Sequence, residues 1–118
     1  MAIFYQHPNQ SIRFDFSFAG NQEQSVRIFK NQTLTYNKNG DNDTSSIDVG
    51  SNTSDKIIQW TVAGYFKFHR GGQHGWYPSS ERQTTNGPNQ LIIGYDDQAP
   101  DGRRDYDYDD TVVKVTFS

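Results

Sequence analysis

The chain has 118 residues, contains no cysteine and carries a formal net charge of −3 at pH 7. Without cysteine it has neither a disulfide framework nor a thiolate metal site, and no apolar run approaches the roughly 20 residues that a transmembrane helix needs. Isoleucine and valine total 14, against two leucines, four alanines and two glutamates, which favours strands over helices. No window of about 11 residues has helical apolar spacing. We therefore expect one all-β domain over residues 1–118.

The first clear strand is the segment "SIRFDFSFAG", in which apolar and polar residues alternate. Its apolar face carries Ile12, Phe14, Phe16 and Phe18. The segment "SVRIFKNQTLTY" predicts a second strand with Val26 and Ile28 on one face, followed by a turn at Asn31-Gln32. Next, "NKNGDNDTSSIDVGSNTSD" is rich in turn-forming residues, so it predicts turns and at most a short strand around Ile47 and Val49.

The second half of the chain has three further strand patterns. The segment "KIIQWTVAGYFKFHR" predicts a long strand with a bend at Gly64, and "GGQHGWYPSSERQTTNGPN" predicts a loop with turn signals at both ends. Two short apolar strands, "QLIIGY" and "TVVKVTF", complete the pattern. Strands at this spacing, joined by turn residues, predict a single-domain antiparallel β-sandwich with Greek-key-like connections.

Negative charge is concentrated in residues 96–110, here called the acidic segment. It holds seven of the chain's 14 acids and two of its 11 bases, a net charge of −5, whereas the remainder has nine bases and seven acids. A basic footprint for nucleic acid is therefore missing. In an extended chain, alternate carboxylates point to one face about 7 Å apart. The acids arranged in this way are Asp105, Asp107 and Asp109, with Asp110 following directly and Asp101 upstream.

Carboxylates this close repel one another, and burial strengthens the repulsion. Exposure to water, protonation or a bound cation would each relieve it. Calcium suits an oxygen-only cluster because it accepts about six to eight oxygen ligands in flexible geometry, whereas zinc prefers Cys and His ligands, which the segment lacks. An EF-hand is disfavoured, since the sixth and twelfth positions counted from Asp105 hold Asp110 and Thr116. A solvated acidic loop is the alternative.

The segment "DGRRDYDYDDTVVKV" resembles the calcium-binding loop of the bacterial fucose-binding lectin II family. In that loop an acid and three further residues precede Asp-x-Asp-Tyr-(Asn/Asp)-Asp and a valine-rich strand. The segments "HPNQSIRFDFSFAGNQ", "SDKIIQWTV" and "NQLIIGYDD" extend the similarity to most of the chain, although residues 65–88 fit poorly. The resemblance implies a non-enzymatic β-sandwich lectin with two adjacent calcium ions, which the hydroxyl groups of a fucose- or mannose-type sugar ligate directly.

The resemblance also implies the residues of the site. The metal ligands would be Asn21, Asp101, Asp105, Asp107, Asp109 and Asp110, of which Asp107 and Asp110 would bridge the two ions. The backbone carbonyl of Gly20 is the alternative to Asn21, because the loop after the first strand is shorter than in the family. Sugar contacts would come from Asn21, Gln22, Glu23, Gln24, Asp101, Asp105, Asp107 and Asp110. The family usually has Asn at the position of Asp109, so this site would be more negative.

The partners implied by the resemblance are glycans or monosaccharides, and the assembly implied is a homodimer or homotetramer; we expect no membrane insertion. The N-terminal sequence "MAIFYQHPNQ" lacks a signal-peptide pattern. We therefore expect cytoplasmic synthesis, with any export to the cell surface or extracellular space following a non-classical route. A structural or adhesion β-sandwich that binds calcium for stability alone, without sugar, is the competing interpretation.

Other polar and aromatic groups carry weaker signals. Trp76 and Tyr77, in "HRGGQHGWYPSSER", form either an aromatic sugar platform or ordinary packing on the edge of the sandwich. A glycosidase is disfavoured, since it needs two carboxyl groups with different pKa values on opposite sides of a cleft, whereas here five acids lie in one short segment. His7, His69 and His74 lack ligand spacing and are interpreted as ordinary polar residues.

Overall fold

The computed structural model describes residues 1–19, 23–70, 73–96 and 110–118. Within these ranges the regular structure consists of strands only. They are β1 (Ala2–Gln6), β2 (Ser11–Phe18), β3 (Glu23–Lys30), β4 (Thr33–Gly40), β5 (Thr44–Ser51), β6 (Ile58–Arg70), β7 (Gln73–Pro78), β8 (Ser80–Thr85), β9 (Gln90–Asp96) and β10 (Thr111–Phe117). A search of the same residues for a helix long and apolar enough to cross a membrane found none.

The strands form two five-stranded antiparallel sheets. Sheet A has the order β1-β6-β3-β4, with β7 paired to the second half of β6 on the side where β1 pairs with the first half. Sheet B has the order β5-β2-β10-β9-β8. The chain passes between the sheets from β1 to β2, β2 to β3, β4 to β5, β5 to β6 and β7 to β8. The predicted all-β antiparallel sandwich is confirmed.

The core lies between the two sheets and is rich in aromatic rings. All four apolar residues predicted for one face of β2 are buried, as the alternation of that strand requires. The ring of Phe14 makes an edge-to-face contact with Trp60 of the opposite sheet, at a centroid distance of 5.7 Å. It also lies 6.0 Å from the ring of Phe4. Burying one such side chain contributes roughly 1.5–3 kcal/mol, so these contacts stabilise the packing of the two sheets.

Tyr95 of β9 crosses from sheet B to sheet A. A Cβ atom placed on Gly64 of β6 would lie 2.5 Å from the tyrosine ring, so the absence of a side chain at Gly64 is what admits the ring. The hydroxyl group donates to Glu81 Oε1 at 2.8 Å and is 3.3 Å from the carbonyl oxygen of Val62. Burial, and then the neighbouring Glu81 carboxylate, raises the pKa of Tyr95 far above its ordinary value. The hydroxyl therefore stays protonated and can keep donating.

The predicted turn at Asn31-Gln32 is confirmed. Both residues have positive φ, 49° and 68°, and they join β3 to β4 in a two-residue hairpin. Two positive φ values at the central positions are the mark of a type I′ turn, whose twist matches that of the flanking strands.

Two predictions for the intervening segments were wrong. Residues Thr44–Ser51 form an eight-residue strand, β5, rather than at most a short one, because its backbone pairs with β2 along almost its whole length. The predicted loop after β6 instead contains β7 and β8, which pair with β6 and β9 respectively. All three are edge strands, stabilised by hydrogen bonds to a neighbour rather than by an apolar pattern of their own.

Candidate functional site

The acidic segment connects two neighbouring strands of sheet B. The chain leaves β9 at Asp96 and is described again from Asp110, where it enters β10. Five of the six predicted metal ligands lie outside the described residues: Asp101, Asp105, Asp107 and Asp109 in the acidic segment, and Asn21 in the connection from β2 to β3. Gln22 and Gly20, in the same connection, also lie outside them. The described site residues are therefore Asp110, Glu23 and Gln24.

The strand ends that carry these two connections meet at one corner of the sandwich. The backbone N–H of Ala19, at the end of β2, donates to the carbonyl oxygen of Asp110 at 2.7 Å. The backbone N–H of Asp110 donates in turn to the carbonyl oxygen of Tyr95 at 3.1 Å. We call Ala19, Asp96 and Asp110 the acidic corner. Both chain segments that hold the predicted ligands start or end there, which is the arrangement that a shared site requires.

Two carboxylates are buried at the acidic corner. The pairing of β9 with β10 ends at Tyr95 and Thr111, so Asp96 and Asp110 each adjoin a residue of this last pair. Asp96 is 0% exposed and Asp110 is 7% exposed. Burial of a carboxylate disfavours its charged form, and a nearby cation offsets that cost. Both ends of the acidic segment are thus buried residues whose side chains carry carboxylate oxygens.

Asp96 is the residue that sequence reasoning missed as a candidate ligand. It belongs to the acidic segment, but it precedes the Asp-x-Asp-Tyr pattern by several residues and had no place in that motif. The signal available in the sequence was an acid at the last position of the apolar strand "LIIGYD". Its position at the same corner as Asp110 depends on the pairing of β9 with β10, which the spacing of residues does not reveal.

A polar layer lies directly below the corner. Gln24 is 0% exposed, and its Oε1 atom accepts a hydrogen bond of 3.2 Å from the hydroxyl group of Thr111. This bond links β3 of sheet A to β10 of sheet B beside the point where the acidic segment ends. Because buried polar groups cost free energy unless they are hydrogen-bonded, the pair fixes the spacing of the two strands. The buried position gives Gln24 a supporting role below the site, and its predicted sugar contact stays a prediction.

Glu23 has a different environment from the adjacent Gln24. Its side chain is 41% exposed and lies 3.9 Å from the ammonium group of Lys67 on β6. Successive residues of a strand point to opposite faces, so Glu23 lies on the outer face of sheet A while Gln24 points inward. An exposed ion pair of this length contributes little stability, which leaves Glu23 able to reorient.

Across the described part of the chain, no three His, Asp or Glu side chains are grouped closely enough to hold a metal ion. Of the predicted metal ligands only Asp110 falls within that part. The calcium site and its ligand set therefore remain predictions from the sequence.

Comparisons with known proteins give matches in structure only. No family model matches the chain, and neither does any curated protein. Among solved structures, the high-affinity mannose-binding lectin of Ralstonia solanacearum matches with a TM-score of 0.64 and 16% identity, over 96% of this chain and 92% of the lectin. Lectin CV2L of Chromobacterium violaceum, solved in complex with α-methyl-fucoside, matches with a TM-score of 0.62 and 17% identity, over 96% and 92%.

The C-terminal domain of the lectin BC2L-C from Burkholderia cenocepacia matches with a TM-score of 0.53 and 17% identity, over 96% of this chain and 91% of that domain's chain. All three matches extend over nearly the whole of both chains, so the likeness concerns the complete sandwich. At these identities, the finding is that the chain shares the β-sandwich fold of these bacterial lectins.

Proposed function

We propose that the protein is a calcium-dependent lectin without catalytic activity, and that its acidic segment takes part in binding a fucose- or mannose-type sugar. The observation that carries the proposal is the acidic corner, where the two segments with all the predicted ligands start or end. The shared fold supports it, since the matched lectins include one described as mannose-binding and one in complex with a fucoside.

The residues present fit calcium in their chemistry. The predicted ligands, Asn21, Asp101, Asp105, Asp107, Asp109 and Asp110, offer oxygen atoms only, as calcium prefers. Asp96 and Asp110, at the two ends of the same segment, are both buried. Two divalent ions would offset four of the five excess negative charges of the acidic segment. When bound, calcium supplies coordination positions that a pair of sugar hydroxyl groups can occupy in place of water.

The remaining residues hold and shape the site. The Gln24–Thr111 hydrogen bond fixes the strands below it, and the Ala19–Asp110 backbone bond joins its two connections. Glu23 and the neighbouring Asn21 and Gln22 would contact the groups of the sugar that differ between monosaccharides. Assembly into a homodimer or homotetramer would present several such sites to one glycan surface, and would raise a weak single-site affinity by avidity.

Isothermal titration calorimetry tests the proposal. Methyl α-mannoside and methyl α-fucoside are titrated separately into the protein in calcium-containing buffer, and again after EDTA has removed the metal. Heat of binding in calcium for at least one glycoside, absent in EDTA, is the expected result. Binding that is equally strong in EDTA, or no binding of either glycoside with calcium present, would contradict it.

A second function has a specific observation in its favour. Asp96 and Asp110 are both buried at this end of the sandwich, where a bound calcium ion would stabilise the fold whether or not a sugar binds. The protein would then be a structural or adhesion module whose metal has no open position. This candidate predicts calcium-dependent stability with no response to sugar.

A further inference from the structure

The β6–β7 hairpin brings an exposed aromatic ring to the same end of the sandwich as the acidic corner. Gln24 pairs with Phe66, and Phe66 pairs with Tyr77, so these three residues form one row across sheet A. Paired residues of an antiparallel sheet share a face. Tyr77 is therefore two strand spacings, about 10 Å, from the buried Gln24 below the site.

The chain path also joins Tyr77 to the acidic segment. Only Ser79 separates β7 from β8, and Ser80, the first residue of β8, pairs with Asp96. The backbone N–H of Ser79 donates to the carbonyl oxygen of Gly64 at 3.0 Å, which fixes this crossing. Tyr77 thus lies three residues before Ser80, the partner of the strand-end residue from which the acidic segment departs.

The ring of Tyr77 packs against a neighbouring ring and keeps a solvent-exposed surface. It packs against Phe66 with a centroid distance of 5.9 Å and an interplanar angle of 30°. Gly75, two residues earlier on the same face, lies beside the ring, with a built Cβ atom 3.8 Å from Tyr77 Cε2, and contributes no side chain. The residue remains 40% exposed. An aromatic ring held in place with an exposed surface is suited to the apolar C–H face of a pyranose, since little conformational entropy is lost on contact.

The adjacent Trp76 has a different environment. It faces the outer side of sheet A, opposite to Tyr77, because successive strand residues alternate. The ammonium group of Lys67 lies 5.8 Å from the centre of its ring, and the same group is 3.9 Å from the carboxylate of Glu23. Charged side chains therefore border this ring. Of the two aromatic residues, Tyr77 is the one that shares a row with the residues below the site.

We propose that Tyr77 is a second sugar-contact position, on which the second ring of an oligosaccharide stacks when the terminal sugar is bound at the acidic segment. The inference rests on the proposed lectin function and names its substrate class more closely, as oligosaccharides rather than single sugars. The contact with Tyr77 then accounts for the higher affinity of a disaccharide compared with a monosaccharide. Loss of one stacking contact of this kind lowers affinity by about 3- to 10-fold.

The test compares one-ring and two-ring ligands on matched variants. Methyl α-mannoside and an α-linked mannobiose, or methyl α-fucoside and a fucose-terminated disaccharide, are titrated in calcium into the wild type and into Tyr77→Ala. Tyr77→Leu keeps apolar packing on Phe66 if the alanine variant folds poorly, and Tyr77→Phe keeps the ring. Tyr5→Ala is the control, because Tyr5 is 53% exposed but pairs with Gln59, about 23 Å along β6 from Phe66.

The expected result is a 3- to 10-fold loss of disaccharide affinity in Tyr77→Ala and Tyr77→Leu, with monosaccharide affinity unchanged and with Tyr77→Phe and Tyr5→Ala like the wild type. Unchanged disaccharide affinity in both variants would overturn the inference while leaving the lectin function intact. An equal loss for both ligands would overturn it too, since Tyr77 would then act on the first sugar. Failure of the wild type to bind either ligand would overturn the inference together with the proposed function.

Discussion

The middle of the sandwich and the end that carries the acidic segment are built from opposite kinds of buried residue. In the middle, Phe14 packs on Trp60 across the two sheets. At the acidic corner the buried residues include two carboxylates, Asp96 and Asp110, above the Gln24 amide. Apolar burial stabilises the fold under any metal condition, whereas burying carboxylates costs free energy unless their charge is compensated. The two regions should therefore respond differently to mutation and to calcium.

The largest effect is expected in the middle. Phe14→Ala removes a fully buried ring that contacts Phe4, Phe16 and Trp60, and should lower the free energy of unfolding by about 3–5 kcal/mol. The loss should be the same in calcium and in EDTA, as measured by urea unfolding. The exposed Tyr5→Ala serves as the control. If the loss of unfolding free energy in Phe14→Ala differed between calcium and EDTA, the middle of the sandwich would not differ from the acidic corner in its response to calcium.

Gly64→Ala tests how closely the two sheets approach. The new methyl group would lie 2.5 Å from the Tyr95 ring, so the ring must move, at a cost of about 1–3 kcal/mol in unfolding free energy. Gly75→Ala is the matched control, because its nearest contact would be an ordinary 3.8 Å. Thermal unfolding of both variants gives the comparison. Equal melting temperatures would show that Gly64 is not required by packing.

At the acidic corner, the effect of Asp110→Asn on stability should depend on calcium. In EDTA the variant should lose less stability than in calcium, because no metal ligand is removed there. In calcium it should be less stable, with calcium affinity reduced at least about tenfold, roughly 1.4 kcal/mol. Asp15→Asn, on the outer face of sheet B, should leave the calcium response unchanged. A variant less stable by the same amount in both buffers would contradict a metal role for Asp110.

The smallest effect belongs to an exposed carboxylate far from the corner. A hydrogen bond from the Ser46 hydroxyl at 2.7 Å, assisted by Arg13, holds the pKa of Asp15 below its ordinary value. A lowered pKa stabilises the fold above about pH 4, and that stability is lost as the pH falls through the folded-state pKa. Asp15→Asn should therefore be slightly less stable than the wild type at pH 6, and the difference should vanish near pH 2. A difference independent of pH would exclude this origin.

The sequence predicted those parts of the fold that are set by local pattern. Alternation identified β2, and Asn31-Gln32 identified a turn. The strands β7 and β8 were predicted as loop, and β5 as at most a short strand, because turn-forming and polar residues interrupt their patterns and only a neighbouring strand makes them extended. For the same reason, the candidate site was predicted only in part. The clustered acids were visible in the sequence, but the position of Asp96 at the same corner as Asp110, and the inward direction of Gln24, follow from pairing across strands.

The most direct test of the proposed function is the melting temperature of the wild type in four buffers: EDTA, calcium, EDTA with a methyl glycoside, and calcium with the same glycoside. Ligands that bind the native state raise its melting temperature. We predict that calcium raises it, and that methyl α-mannoside or methyl α-fucoside raises it further only when calcium is present. A rise with calcium and no further rise with either glycoside would contradict the lectin function, and would indicate a structural calcium module instead.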